Sequence, residues 1–140
     1  MLARRHLLIG ISLTLLAGGQ ASAAGRPDLV EVSISKPPGS VGAGLSFALK
    51  DKVQNKGGAK ARASATGFYL SLDRERSQND LRLGRRRVPE LRPGRASAGS
   101  RHVTVPANAP LGRYLVLACA DDEKVVREGN ERNNCRVAET

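Results

Sequence analysis

From Leu29 onward the chain breaks into short runs in which apolar and polar residues alternate, each closed by Gly, Pro or Asn. A period of two places successive side chains on opposite faces of a strand, and several such runs at short spacing predict a sandwich of antiparallel strands. In DLVEVSIS, Val30, Val32 and Ile34 share the inward parity, and Pro37-Pro38-Gly39 ends the run. Leu45, Phe47, Leu49 and Val53 keep one parity through LSFALKDKV, up to a turn at Asn55-Lys56-Gly57-Gly58. Asp51 falls on that same inward parity. An unpaired carboxylate in a core is costly, so it is expected at the rim or turned out by a bulge. TGFYLSL supplies a third strand with Phe68, Leu70 and Leu72 on one face, and LRLGRRRV follows the polar loop DRERSQND. RHVTV, with Val103 and Val105 inward, then RYLVLACA and CRVA complete a set of seven or eight strands without a helix or an internal repeat.

Ahead of these runs stand Arg4 and Arg5, an apolar stretch from Leu7 to Ala17, and the small residues Ala21-Ser22-Ala23. That is the layout of a secretory signal peptide cut after Ala23. The apolar stretch is shorter than the roughly 20 residues that cross a bilayer, and the arginine pair fits either general secretory or twin-arginine export. The expected organisation is a cleaved leader over 1–23 and one domain over 24–140, exported to the periplasm or the extracellular space. Losing Arg4 and Arg5 takes two charges from a formal net charge of +10 and leaves the domain strongly basic. Such a balance bears on solubility and attraction to polyanions, not on fold.

The only cysteines, Cys119 and Cys135, bracket the run ACADDEKVVREGNERNNC. In an oxidising compartment such a pair is expected as a disulfide. A strand enters the run and CRVA leaves it, so the simplest geometry is a hairpin with the cysteines opposed on adjacent strands, within disulfide range. A metal loop is the alternative, since Asp121, Asp122, Glu123, Glu128 and Glu131 offer oxygen ligands. The spacing lacks the EF-hand pattern, however, and Lys124, Arg127 and Arg132 stand among the acids. Asp73, Glu75 and Asp80 form a second calcium candidate, also interleaved with arginines.

Catalytic chemistry finds no purchase. His102 is the one histidine after the leader and takes the outward parity, and there is no nucleophile elbow, zinc spacing or phosphate loop. Neither a catalytic residue nor a cofactor is expected. The feature able to bind something is the basic cluster Arg82, Arg85, Arg86, Arg87, Arg92 and Arg95. Forked guanidinium groups could hold sulfated, phosphorylated or carboxylated polymers. Alternation along the strand sets Arg86 on the face opposite to Arg85 and Arg87. The other reading of these charges is protection of a sheet edge. With no Trp, two Tyr and two Phe, the chain lacks a stacking platform for sugars or unpaired bases.

The ordered segments PDLVEVSI, VQNKG, FYLSLD, DLRLGRRRVPELRPG, VPANAPLGRYLVLACAD and EGNERNN resemble a CARDB domain, the cell-adhesion-related domain found in bacteria, over about Pro27 to Ala138. The resemblance implies an immunoglobulin-like β-sandwich without catalytic activity. Glu128, Glu131, Asn133 and Asn134 match the family's E-x-x-E-x-N-N ending, where asparagine suits a tight turn. Asp51 stands where the family usually has an apolar residue, and the two cysteines are additions. The functional expectation is a binding module acting by contact with another envelope or surface protein. The alternative is an arginine-mediated binder of lipopolysaccharide, acidic polysaccharide or DNA.

Overall fold

The computed structural model describes residues 25–140, so the expected leader over 1–23 lies outside the described residues. Seven strands follow in order: β1 (Leu29–Ile34), β2 (Ser46–Asn55), β3 (Ser64–Ser71), β4 (Leu81–Val88), β5 (Ala96–Thr104), β6 (Leu115–Cys119) and β7 (Cys135–Val137). They form two antiparallel sheets, ordered β1-β2-β5 and β4-β3-β6-β7. The sheets approach each other at both sides, where β4 meets β5 and β1 meets β7. No helix among the described residues is long and apolar enough to cross a membrane.

Alternation is cleanest in β2, where Phe47, Leu49, Asp51, Val53 and Asn55 are buried and the residues between them face water or the rim. The apolar core divides in two. Phe47, Leu49, Phe68, Leu70, Leu83, Val103 and Val116 belong to one cluster. Leu29, Val53, Ala61, Val88, Leu91 and Val126 form the other. Tyr69, Leu117 and Cys119 pack together on the opposite face of β3 and β6. Strand β3 is therefore buried on both faces, and its sequence reads as a nearly continuous buried run.

Three expectations from parity change. In β1 the inward residues are Leu29 and Glu31, not Val30 and Val32. The register slips between Glu31 and Ser33, which makes Val32 the extra residue of a bulge and returns Ile34 to the core side. Leu45 and Leu72 lie just outside their strands and are 60% and 78% exposed, because the chain has already turned away from the sheet. Asp51 is buried on the core side of β2, neither at the rim nor turned out. Val103 and Val105 are buried as their parity predicts, and His102 is exposed.

Candidate functional site

Asp51 is accommodated because the opposite sheet supplies its counter-ion. Arg86 Nε and NH2 donate to Asp51 Oδ1 and Oδ2, each at 2.7 Å. The fork is bidentate, the strongest form of guanidinium–carboxylate pair. Arg86 NH1 also donates to Ser97 Oγ at 3.1 Å, which ties in β5. Gly99 on β5 leaves room for this side chain, since a Cβ there would lie 2.5 Å from Arg86 Cδ. Beside the pair, the Thr66 hydroxyl donates to Glu31 Oε1 at 2.6 Å, while Glu31 Oε2 has no hydrogen-bond partner among the described residues. Burial pushes the Glu31 carboxyl up to about 8, and the neighbouring Asp51 charge adds to the effect. Glu31, Asp51, Thr66 and Arg86 thus form a polar layer between the two apolar clusters, joining β1, β2, β3 and β4.

The Cys119–Cys135 bridge is present, with Cα atoms 4.0 Å apart on directly paired residues of β6 and β7. The loop that it closes is held by its own acids. Asp121, at φ 48°, accepts from the Val125 and Val126 amides at 3.0 Å each. Glu128 accepts from the Leu29 amide through Oε1 and from Asn134 Nδ2 through Oε2, each at 2.5 Å. Glu131 Oε1 accepts from the Glu128 amide at 2.9 Å. Asn133 Nδ2 reaches Asp28 Oδ1 at 2.9 Å, and Asn134 Nδ2 also donates to the Ala120 carbonyl. The asparagines therefore bond other segments, whereas the sequence suggested that they shape a tight turn locally. Burial raises the Glu128 carboxyl to about 7 and also raises Asp121.

Asn55 closes the same end of the sandwich. Its Oδ1 accepts from the amides of Asp28 and Gly57, and its Nδ2 donates to the carbonyls of Ala59 and Leu91. A Cβ on Gly57 would come within 2.2 Å of the Arg26 carbonyl oxygen. Asn55, Glu128 and Asn133 all fasten the entry to β1, so the E-x-x-E-x-N-N ending and the VQNKG segment build one clasp.

Of the acidic candidates, the structure gathers Asp121, Glu128 and Glu131, whose ligand atoms lie within 4.8 Å of one another. Asp73, Glu75 and Asp80 are not brought together as a cluster. Asp73 accepts from the Glu75 amide and Asp80 from the Ser77 amide, which shapes their own loop. The arginines likewise separate. Arg86 is turned inward and leaves the expected rim. Arg82 faces Asp122 at 3.6 Å, and Arg85 pairs with Glu123. Arg87, Arg92 and Arg95 are exposed, with no ion pair among the described residues.

The four edge strands differ in how they are guarded. Strand β7 has three residues, β1 is bulged, and β4 is both bulged and arginine-rich. Strand β5 runs nine residues in unbroken register against β2 and carries small side chains along most of its length. At its two ends Asn55 N–H donates to the Arg95 carbonyl and Val105 N–H to the Leu45 carbonyl, each at 2.9 Å. Antiparallel alternation then turns the peptide groups of odd-numbered residues toward β2. Those of Ala96, Ala98, Ser100, His102 and Thr104 point away from the sheet. Sequence reasoning concentrated on the arginine-rich strand and began this one only at RHVTV; the segment ASAGS, which carries neither charge nor proline, belongs to it as well.

The family model of CARDB matches residues 26–138. The chain is similar to the CARDB domain of a Pyrococcus furiosus protein solved in complex with di-metal ions, at 26% identity and a TM-score of 0.55, covering 80% of this chain and 84% of that one. A solution structure of the same Pyrococcus furiosus domain gives 24% identity and 0.57, covering 81% and 92%. A domain of a "putative cell surface protein" from Methanosarcina acetivorans gives 20% and 0.53, covering 81% and 89%. No curated protein matches the chain.

Proposed function

Since the chain belongs to the CARDB family, a cell-surface-associated family of non-catalytic domains, we propose that it is an exported immunoglobulin-like module that works through protein contact in the bacterial periplasm or at the cell surface. The observation that carries this reading is the β5 edge. It is long and regular and carries no charge, proline or bulge from Ala96 to Ser100, and strand addition to such an edge is an established mode of protein recognition. The acids and asparagines of the β6–β7 loop support the same reading from the other side, because their bonds hold the fold rather than a substrate.

A second reading, binding of anionic envelope polymers, is favoured by Arg87, Arg92 and Arg95, which are exposed without an ion pair among the described residues. Arg82, Arg85 and Arg86 each face a carboxylate, which weakens it. The metal ions of the Pyrococcus furiosus domain direct attention to Asp121, Glu128 and Glu131. Here each oxygen of Asp121 and of Glu128 accepts a hydrogen bond that holds the loop, which accounts for these acids without an ion, and no metal function is proposed.

The test is capture of the tagged, exported protein after crosslinking in cells, beside a variant carrying Arg87→Ala, Arg92→Ala and Arg95→Ala. Arg86 is left intact because its loss would strand Asp51. The same discrete envelope protein with both forms is the expected result. A catch of glycan, lipopolysaccharide or DNA that the variant loses would overturn the reading in favour of the second.

A further inference from the structure

We infer that β5 is the seat of an extended, carboxylate-bearing strand from another chain, an inference that rests on the protein-contact reading above. Three observations converge. The first is the hydrogen-bond pattern: the outward peptide groups of Ala98, Ser100 and His102 offer alternating donors and acceptors over an unbroken register. The second is topology. In a four-plus-three immunoglobulin sandwich the corresponding sheet holds a fourth strand beside the one that β5 represents. Here the strand after β3 joins the other sheet as β4, which approaches β5 across the sandwich but forms no ladder with it, so the outward peptide groups of β5 have no strand partner among the described residues.

The third is charge. The carboxylates of β1, β2 and β5 are Glu31 and Asp51, and both are buried. The exposed charges of that sheet are Lys50, Lys52 and Arg101, all positive. In register, Lys50 lies opposite Ser100 and Lys52 opposite Ala98. Strands sit about 4.8 Å apart, so an added strand would lie about two spacings from β2, within reach of a lysine side chain across residues as small as Ala98 and Ser100. Acidic side chains on the outer face of that strand would meet the two lysines. A second copy of this basic chain would bring like charges instead, which disfavours self-pairing.

The probe is a capped nine-residue peptide alternating Val and Glu, with its Val/Lys counterpart as control, added to the full exported domain while amide hydrogen exchange is followed residue by residue. The Val/Glu peptide is expected to slow exchange at Ala98, Ser100 and His102 by at least about tenfold, in the range that a hydrogen bond of about 1.4 kcal/mol would give. Exchange at Leu49 and Val53 should stay unchanged. Ser100→Pro removes an outward N–H that β2 does not use, and should abolish the protection. A proline could disturb β5 itself, so two further variants stand beside it: the exposed pair Lys50→Glu and Lys52→Glu, and a peptide N-methylated at alternate residues, both expected to lose binding. Equal binding of the Val/Glu and Val/Lys peptides, or no protection at saturation, overturns the inference. Protection that appears without peptide and grows with protein concentration also overturns it, because a second copy then holds the edge. If a protein is captured in cells but crosslinks away from β5, the seat is refuted and the protein-contact reading stands. If the peptide binds but only polymer is captured, the reverse holds.

Discussion

A carboxylate at the centre of β2 tolerates burial because two nitrogens of a guanidinium from the opposite sheet meet it at 2.7 Å. Removing one member of such a pair leaves an uncompensated buried charge and costs about 3–5 kcal/mol, whereas replacing both with apolar residues of similar volume is often neutral. Asp51→Ala and Arg86→Met should each lower the unfolding free energy by that amount in urea titrations, and Asp51→Leu with Arg86→Met should recover most of it. A loss in the double variant equal to the sum of the two single losses would show that the pair contributes nothing as a pair. Glu31 adds a pH dependence. Its folded-state value of about 8 and the value of about 7 for Glu128 stand above the ordinary 4.5. The native state therefore holds protons that the unfolded chain releases. The stability they confer is complete below about pH 4.5 and is lost as pH rises through 7 and 8. The urea midpoint should fall from about pH 5 to about pH 9, and Glu31→Gln should flatten the decline at its upper end. A midpoint that rises over that range would contradict the assignment of these two carboxyls.

At the scale of elements, the β6–β7 hairpin is fixed twice, by the bridge between Cys119 and Cys135 and by the acids of its loop. Closing a loop of this length contributes about 3 kcal/mol on the chain-entropy model. Reductant, or Cys119→Ala with Cys135→Ala, should lower the unfolding free energy by about that much without unfolding the domain, because the Glu128–Asn134–Leu29 bonds remain. Complete loss of structure on reduction would mean that the loop acids do little. Millimolar calcium is expected to leave Tm unchanged, as the hydrogen bonds of Asp121 and Glu128 already hold the loop in place; a rise in Tm that Glu131→Gln removes would establish a cation site there. The hairpin and its disulfide were legible in the sequence because strand patterning and compartment pointed to the same pair. The clasp was not, since its bonds join residues as far apart as Leu29 and Glu128, and no local pattern announces a backbone amide waiting for a distant carboxylate. The polar layer was hidden for the same reason. Alternation placed Asp51 inward and set Arg86 opposite Arg85 and Arg87, but only the packing of two sheets made them meet.

At the scale of the molecule, seven strands leave four edges, and three of them are shortened, bulged or charged. Guarding of this kind suppresses edge-to-edge association, so β5, unbulged and without charge from Ala96 to Ser100, is the exception that a binding module would keep. The architecture was readable from alternation and turn residues where a strand buries one face, as β2 does at a period of two, while β3, covered on both faces, was marked by its apolar run between turns. Bulges were not, and neither Val30 nor Val32 could be placed without the slip at Glu31. The measurement that tests the central claim most directly is in-cell photo-crosslinking from two positions of the exported protein, Ser100 on β5 and Arg92 in the arginine loop. The protein-contact account predicts a discrete protein adduct from position 100 and none from position 92. A smeared adduct from position 92 that nuclease or glycosidase removes, with nothing at position 100, would contradict it.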